Sequence, residues 1–153
     1  MYKLVSLIGL ILFPFQAIAG AWGVGAFDND TALDWVSELS DSDNPLVLFK
    51  SAIDAPSIGG YIDADICSNA IAASEIVAIV FNASSGEYSK VILKLAKSLK
   101  PQLSKEAVPR AEKAVAICSG ESGSELKQLW NESKEWSAYV GGLQHRLKSA
   151  LNK

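Results

Sequence analysis

Three carboxylates near the start of the chain could form a small acidic site. Asp30 and Asp34 are four residues apart and share one face of a predicted helix, and Asp28 lies just before it. Such a cluster could hold a divalent cation or supply an acid/base pair. The structural alternative is helix capping, because Asp side chains suit the positively polarised N-terminus of a helix. An EF-hand is excluded, since the glycine and closing glutamate of its calcium loop are missing.

Two tryptophans accompany these carboxylates. Residues 20–29, which we call the head, contain three glycines and Trp22, and Trp35 follows on the first helix. The glycines favour a tight, irregular leader, and Trp22 is expected to pack near Trp35 and clasp the leader to the body. A binding surface is the alternative use of the same residues. Trp22, Asp28, Asp30, Asp34 and Trp35 are therefore the candidate binding residues.

After Asp65 at its start, Glu75 is the one charge in a segment that is apolar almost all round, about residues 65–82. Such a helix is central and buried, and a buried carboxylate must be paired, hydrogen-bonded or protonated. We expect a structural ion pair, with Arg146 as a candidate partner. The alternative is a catalytic acid with a raised pKa, but no second catalytic group can be assigned.

The two cysteines and the first 19 residues both indicate export. Lys3, the apolar run from Leu4 to Phe15 and the Ala17-Ile-Ala19 cleavage box predict a signal peptide at residues 1–19 and a helical domain at 20–153. An uncleaved anchor is the alternative. In an oxidising compartment the lone pair Cys67 and Cys118 predicts a disulfide. No metal site is expected, because the cysteine spacing is wrong and His145 is the single histidine.

Helical periodicity and turn signals predict an all-α domain of about five to six helices around the buried central one. The predicted segments are about 30–40, 45–54, 65–82, 88–100 and 109–118, followed by a helical pattern from Ser124 to Leu151. Gly141 and Gly142 interrupt that last pattern and indicate a close helix approach or a bend. The segment around Glu75 is too short and too rich in Ala and Ser to span a bilayer, so no stable membrane insertion is expected after signal cleavage.

Charge is unevenly distributed along the chain. Residues 20–75 hold ten acidic residues and one basic residue, whereas residues 76–153 hold seven acidic and twelve basic. Either the two halves neutralise each other on folding, or they present oppositely charged faces to partners. The negative total charge and the predicted export argue against a nucleic-acid binder.

Several short motifs resemble a bacterial family known as domain-of-unknown-function family 4259. The most specific lie at the start: Gly20-Ala-Trp-Gly, Phe27-Asp-Asn-Asp and Ala32-Leu-Asp-Trp35. Softer similarities follow at Tyr61, Ala72-Ala-Ser-Glu-Ile-Val-Ala78, Ser124-Glu-Leu-Lys-Gln-Leu-Trp130 and Arg146-Leu147. Family members usually begin directly with the head, so the export segment is a departure. The resemblance implies a single helical domain and brings no activity with it.

Two functions from different classes remain. We expect an exported, periplasmic or secreted, non-catalytic interaction module without cofactor, whose partner is another protein. A concrete form is an immunity protein that neutralises a basic toxin, because an acidic face complements a basic cleft. The alternative is a cell-wall hydrolase that uses Glu75, Asp30 or Asp34 as acid and base.

Overall fold

The computed structural model describes residues 20–121 and 123–152, and the predicted signal peptide lies outside them. Within these residues the chain is a single all-α domain without β-strands, as predicted. Short 3-10 segments follow the second and fourth helices, at Ala55–Ile58 and Lys100–Gln102. The described residues form seven α-helices: α1 Asp30–Asp41, α2 Pro45–Asp54, α3 Ala64–Val80, α4 Lys90–Leu99, α5 Ala107–Cys118, α6 Glu125–Leu129 and α7 Lys134–Leu151.

Helix α3 is the centre of the domain. Twelve of its 17 residues are buried, and it packs against α1, α2, α4, α5, α6 and α7. Its closest neighbour is α5, where the Ser74 hydroxyl donates to the carbonyl of Ala70 and also to that of Ala111 on α5. Small side chains at this contact let the two backbones approach. No helix among the described residues combines the length and apolar composition that crossing a membrane requires.

The turn after α3 positions the Ala83 carbonyl oxygen as a hydrogen-bond acceptor for Arg146 of α7. Asn82 has a φ of 55°, the left-handed conformation that commonly ends a helix and that Asn tolerates. The chain then folds back so that the Ala83 amide donates to the Ala78 carbonyl over 2.7 Å. This turn leaves the Ala83 carbonyl oxygen free to accept a bond from Arg146 of α7 at 3.1 Å.

The last predicted helical pattern is divided into two helices. Helix α6 ends at Leu129, and Ser133 begins α7 by accepting a hydrogen bond from the Trp136 amide at 3.1 Å. A serine N-cap satisfies a backbone donor that a continuous helix would bond internally, so it favours a new start. The break lets Trp130 and Trp136 stack with their ring planes 5° apart.

The predicted Cys67–Cys118 disulfide is confirmed. It joins the first turn of α3 to the last residue of α5, with the Cα atoms 5.3 Å apart. The linked region is reinforced by an isolated bridge in which the Ile62 amide donates to the Gly123 carbonyl and the Glu125 amide donates to the Ile62 carbonyl. In the chain-entropy description, a loop of this length stabilises the fold by about 4 kcal/mol.

Gly141 and Gly142 do not mark a close helix approach. Both are exposed, and a Cβ atom placed on either residue would meet nothing within 4 Å. Helix α7 continues through them from Lys134 to Leu151. The two glycines therefore cost helix stability without a packing role among the described residues.

We predict that Gly142→Ala stabilises the domain by about 1 kcal/mol, because alanine lowers the backbone entropy of the unfolded chain and fits the open surface of α7. Urea unfolding monitored by circular dichroism measures this change. Gly123→Ala is the matched contrast: its φ is +87° and its Cβ would lie 3.0 Å from the Gly60 carbonyl oxygen. The Gly123→Ala variant should lower the free energy of unfolding. An unchanged or lower stability of Gly142→Ala would contradict the inference that Gly142 only costs helix stability.

Candidate functional site

The head is folded by its own backbone. The Trp22 amide donates to the Asp28 carbonyl over 3.0 Å, and the Asp30 amide donates to the Gly20 carbonyl over 2.8 Å. The Asp28 carboxylate turns inward and accepts the Gly25 amide at 3.0 Å. A Cβ on Gly23 or Gly25 would lie 2.6 Å from a carboxylate oxygen of Asp28, so a side chain at either position would displace this carboxylate. Asp28 is thus an internal support of the head.

The expected packing of Trp22 near Trp35 is wrong. Trp22 is 60% exposed, whereas Trp35 is buried and stacks on Phe49 of α2 with ring centroids 6.3 Å apart. The head instead holds to the body through Ala26, which is 4% exposed and whose amide donates to the Tyr139 hydroxyl oxygen at 2.9 Å. A backbone anchor makes the tryptophan unnecessary as a clasp.

The five candidate binding residues therefore do not converge on one site. Asp30 and Asp34 are exposed on α1, Trp22 is exposed on the head, and Asp28 and Trp35 serve the fold. Helix α1 is capped by a neighbouring residue, Asn29, whose side chain accepts the Ala32 amide at 2.8 Å. Within the part of the chain that the structure describes, no group of acidic, His and Cys residues is arranged to hold a metal ion.

Helix α1 carries a row of exposed carboxylates, which we call the acidic stripe: Asp30, Asp34, Glu38 and Asp41. Residues spaced three or four apart are neighbours on a helix surface, so these four share one side. None of them forms an ion pair with a described residue. The ion pairs that are present use other carboxylates, on Asp54, Glu75, Glu112 and Glu121. The charge asymmetry of the sequence therefore persists on the folded surface at α1.

Glu75 lies at the middle of α3 and is 1% exposed. The Arg146 guanidinium holds it in a two-pronged ion pair, with bonds of 2.8 Å to Oε1 and 3.0 Å to Oε2. The Tyr88 hydroxyl donates to Oε1 at 2.6 Å, and the Tyr139 hydroxyl donates to Oε2 at 2.8 Å. Each carboxylate oxygen accepts two hydrogen bonds, so the buried charge is fully compensated.

These contacts shift the ionisation of the whole group. Burial alone would raise the pKa of Glu75, but the bonds from Arg146 and the two tyrosines outweigh it and hold the pKa below its ordinary value. Burial and the Glu75 carboxylate raise the pKa of Tyr88 to about 12 and also raise the pKa of Tyr139. The carboxylate is therefore ionised and both phenols are neutral over the physiological range.

The sequence analysis did not identify either tyrosine as a partner of Glu75. Tyr139 lies seven residues before Arg146, two helical turns away, and both are half-buried beside the apolar side of α7. Polar side chains at core-facing positions of a helix are the signal that could have linked them to Glu75. Tyr88 precedes α4 in a loop and carried no such signal.

A cleft of about 370 Å³ opens beside this network and is lined in part by Arg146 and by two carboxylates besides Glu75, namely Asp28 and the exposed Glu87. Carboxylates that share a cleft resemble an acid/base pair. A general acid, however, needs a raised pKa, and Glu75 has a lowered one with both oxygens occupied. Asp28 is likewise engaged by the Gly25 amide. The arrangement suits a structural ion pair.

A second, larger cavity of about 490 Å³ lies beneath the head, which we call the head cavity. The backbone of the head forms one wall, and the first turns of α3 contribute Asp65 and Ser68. Leu129 and the stacked pair Trp130 and Trp136 form the opposite side. None of these lining side chains was a candidate from the sequence, because the wall combines three distant segments.

We predict that Glu75→Gln lowers the free energy of unfolding at pH 7 by about 3 kcal/mol, because it leaves the half-buried Arg146 without its counter-charge. The folded pKa of Glu75 is lowered, so its contribution is present above the unfolded value of about 4.3 and is lost as pH falls through the folded pKa. The deficit of the variant should therefore shrink in urea titrations near pH 3.

Tyr88→Phe is the matched control, because it removes one hydrogen bond and keeps the ion pair. It should cost less than Glu75→Gln, about 1.5–3 kcal/mol. An equal deficit of Glu75→Gln at pH 7 and pH 3 would contradict the ionised, structural role.

Comparison with known proteins identifies a family for most of the chain. Residues 20–140 match the family described as Domain of unknown function (DUF4259), and the match begins at the first residue of the head. No curated protein and no solved structure matched the chain. Because the matched segment covers most of the chain, from the head through the first third of α7, the protein belongs to the DUF4259 family.

Proposed function

We propose that this protein is an exported, non-catalytic module that binds a basic protein through the acidic stripe and Trp22. The observation that carries the proposal is the row of exposed carboxylates on α1, none of which forms an ion pair with a described residue. The buried charge of the domain, in contrast, is completely compensated.

The acidic stripe costs helix stability. Asp30 and Asp34 are four residues apart, as are Asp34 and Glu38, and each such like-charge pair destabilises a helix by about 0.2–0.5 kcal/mol. Asp41 lies in the last turn, where the helix dipole disfavours a negative charge. Asp30 lies in the first turn, where the helix dipole favours it, but Asp34, Glu38 and Asp41 have no such compensation. A basic partner that neutralises these three would recover this free energy on binding.

Trp22 adds an apolar element next to the stripe. It is 60% exposed, and the head that carries it is hydrogen-bonded to the start of α1 through Asp28 and Asp30. Exposed tryptophans are frequent energetic centres of protein interfaces, because they bury a large area with few rotatable bonds. An exposed indole beside uncompensated carboxylates suits a partner surface that is basic around an apolar pocket.

The concrete form of the proposal is an immunity protein that blocks a basic toxin delivered by neighbouring cells. A line of negative charge accelerates association with such a partner and makes it dependent on salt. The Cys67–Cys118 disulfide and the predicted signal peptide support an oxidising compartment, periplasmic or secreted. Neither a cofactor nor a metal takes part in this binding.

A cell-wall hydrolase that uses carboxylates is the alternative function. The cleft beside Glu75 is lined by three carboxylates. Glu75 and Asp28 are engaged in hydrogen bonds within the fold, and Glu87 is exposed to solvent, so none of them has the setting of a buried general acid. Retained binding of the partner by Glu75→Gln, at a temperature where the variant is folded, would separate the interaction module from this alternative.

We expect the double variant Asp34→Lys/Glu38→Lys to lose at least about tenfold in partner affinity, since it reverses two neighbouring charges. The chain from residue 20 onward is used to capture basic proteins from periplasmic extract and rival-strain secretions, and each captured protein is then titrated by calorimetry. The loss of affinity should be largest at low salt, and Trp22→Ala should weaken binding while the melting temperature stays close to that of the wild type.

The matched control is Glu106→Lys/Glu132→Lys, which makes the same charge change at two other exposed positions outside any described ion pair. It should bind like the wild type. If the stripe variant and this control bind the partner equally well, the acidic stripe is only a solvated helix face.

A further inference from the structure

We propose that the head cavity is a binding site for a small organic cation that carries a flat apolar body. This inference goes beyond the proposed function and does not depend on it, because the acidic stripe and the cavity use different side chains. With about 490 Å³, the cavity falls within the range of roughly 300–1,000 Å³ that small-molecule sites occupy.

The apolar part of the site comes from aromatic and aliphatic walls. Trp130 and Trp136 stack with centroids 6.3 Å apart, and both line the cavity together with Ile71, Leu126 and Leu129. The backbone of the head also lines the cavity, at Gly23 and Gly25 among other residues. A slot with aromatic walls and a backbone wall accepts a flat ring.

The charge of the lining selects a cation. Asp65 is the one ionisable side chain that lines the cavity among the described residues, and no Lys, Arg or His contributes. The Thr31 hydroxyl donates to Asp65 Oδ1 at 2.9 Å, which orients the carboxylate and leaves Oδ2 available. The partial positive charge at the N-terminus of α3 is also neutralised within the protein, since Glu125 Oε2 accepts the Ala64 amide at 2.8 Å.

Ser68 provides an independent sign that the cavity takes a polar group. It is 8% exposed and lines the cavity, and its hydroxyl forms no hydrogen bond with any described residue. Ser74, two turns further along the same helix, bonds to the Ala70 and Ala111 carbonyls. The Ser68 oxygen faces accessible space and is not tied up within the protein, so it is available to a polar group in the cavity.

These features fit together for one class of ligand. An ammonium group can reach the Asp65 carboxylate and the Ser68 hydroxyl oxygen, both on the first turns of α3. The attached ring then lies against the indoles, and a cation near an aromatic face gains further attraction. An anion of the same shape meets the Asp65 charge, and the one cation that could offset this charge is the α-ammonium that the predicted signal cleavage creates on Gly20.

The test uses three probes of nearly equal size: 2-phenylethylammonium, 2-phenylethanol and 3-phenylpropanoate. Each is titrated into the folded chain and followed by amide NMR shifts of Gly23, Ser68 and Leu129. We expect the ammonium probe to bind about fivefold more tightly than the alcohol, and the carboxylate to bind least. The affected amides should cluster around the cavity.

Two variants locate the interaction. Asp65→Asn keeps the acceptor for Thr31 and should make the ammonium and alcohol probes bind alike. Ser68→Leu fills the cavity and should abolish binding of the ammonium probe, whereas Ser68→Ala keeps the cavity open, removes one acceptor and should weaken binding only about threefold. If Ser68→Leu does not fold, Asp65→Asn alone decides the charge preference.

Two outcomes would overturn the proposal. One is the absence of localised shifts at about 10 mM ammonium probe, a concentration that detects even millimolar affinity. The other is equal binding of all three probes to the wild type, which would make the cavity an apolar gap without selection for charge.

Discussion

The structure depends on the compensation of one buried charge. Glu75 lies in the middle of α3, where a carboxylate without partners would be far too costly to keep ionised. Its four hydrogen bonds come from Arg146 and Tyr139 on α7 and from Tyr88 before α4. The charge therefore fixes how three separate segments meet, which an apolar residue of similar size would not do with the same directionality.

The same network reaches the head. Tyr139 donates to Glu75 and its oxygen also accepts the Ala26 amide, so a chain of two hydrogen bonds links the centre of α3 to the N-terminal segment. Phe27 meets the Tyr88 ring edge-on, which gives the head a second contact with the network. Because these contacts hold the head, neither Trp22 nor the acidic stripe is needed to fix its position. The head also closes one side of the head cavity, so both proposed binding surfaces depend on its position.

Much of the fold could be predicted from local patterns. The apolar character of the α3 segment, the lone cysteine pair, and turn signals such as Asn44-Pro45 are properties of short stretches, and they gave the helices, the disulfide and the buried centre. The division between α6 and α7 was missed, because the apolar periodicity of Trp130 and Trp136 continues across it and hides the cap at Ser133.

The site was harder to predict, since its parts come from distant segments. Arg146 was identified because a buried carboxylate demands a counter-charge. Tyr88 and Tyr139 were not, because a tyrosine hydroxyl can form its hydrogen bond with water as well as with a buried group. Trp22 was misplaced for a related reason. Its size suggested an anchor, but the anchor is a backbone amide at Ala26, which has no sequence signature.

The central claim is that the Glu75 network holds the head on the body, and native-state amide hydrogen exchange after Tyr139→Phe tests it most directly. This variant removes the acceptor of the Ala26 amide and one donor to Glu75 while keeping the aromatic ring. We predict that the Trp22 and Asp30 amides, which report the internal bonds of the head, exchange at least about tenfold faster, while those of α3 change only with global stability. Unchanged protection of Trp22 and Asp30 would contradict the claim and show that the head holds its position without the network.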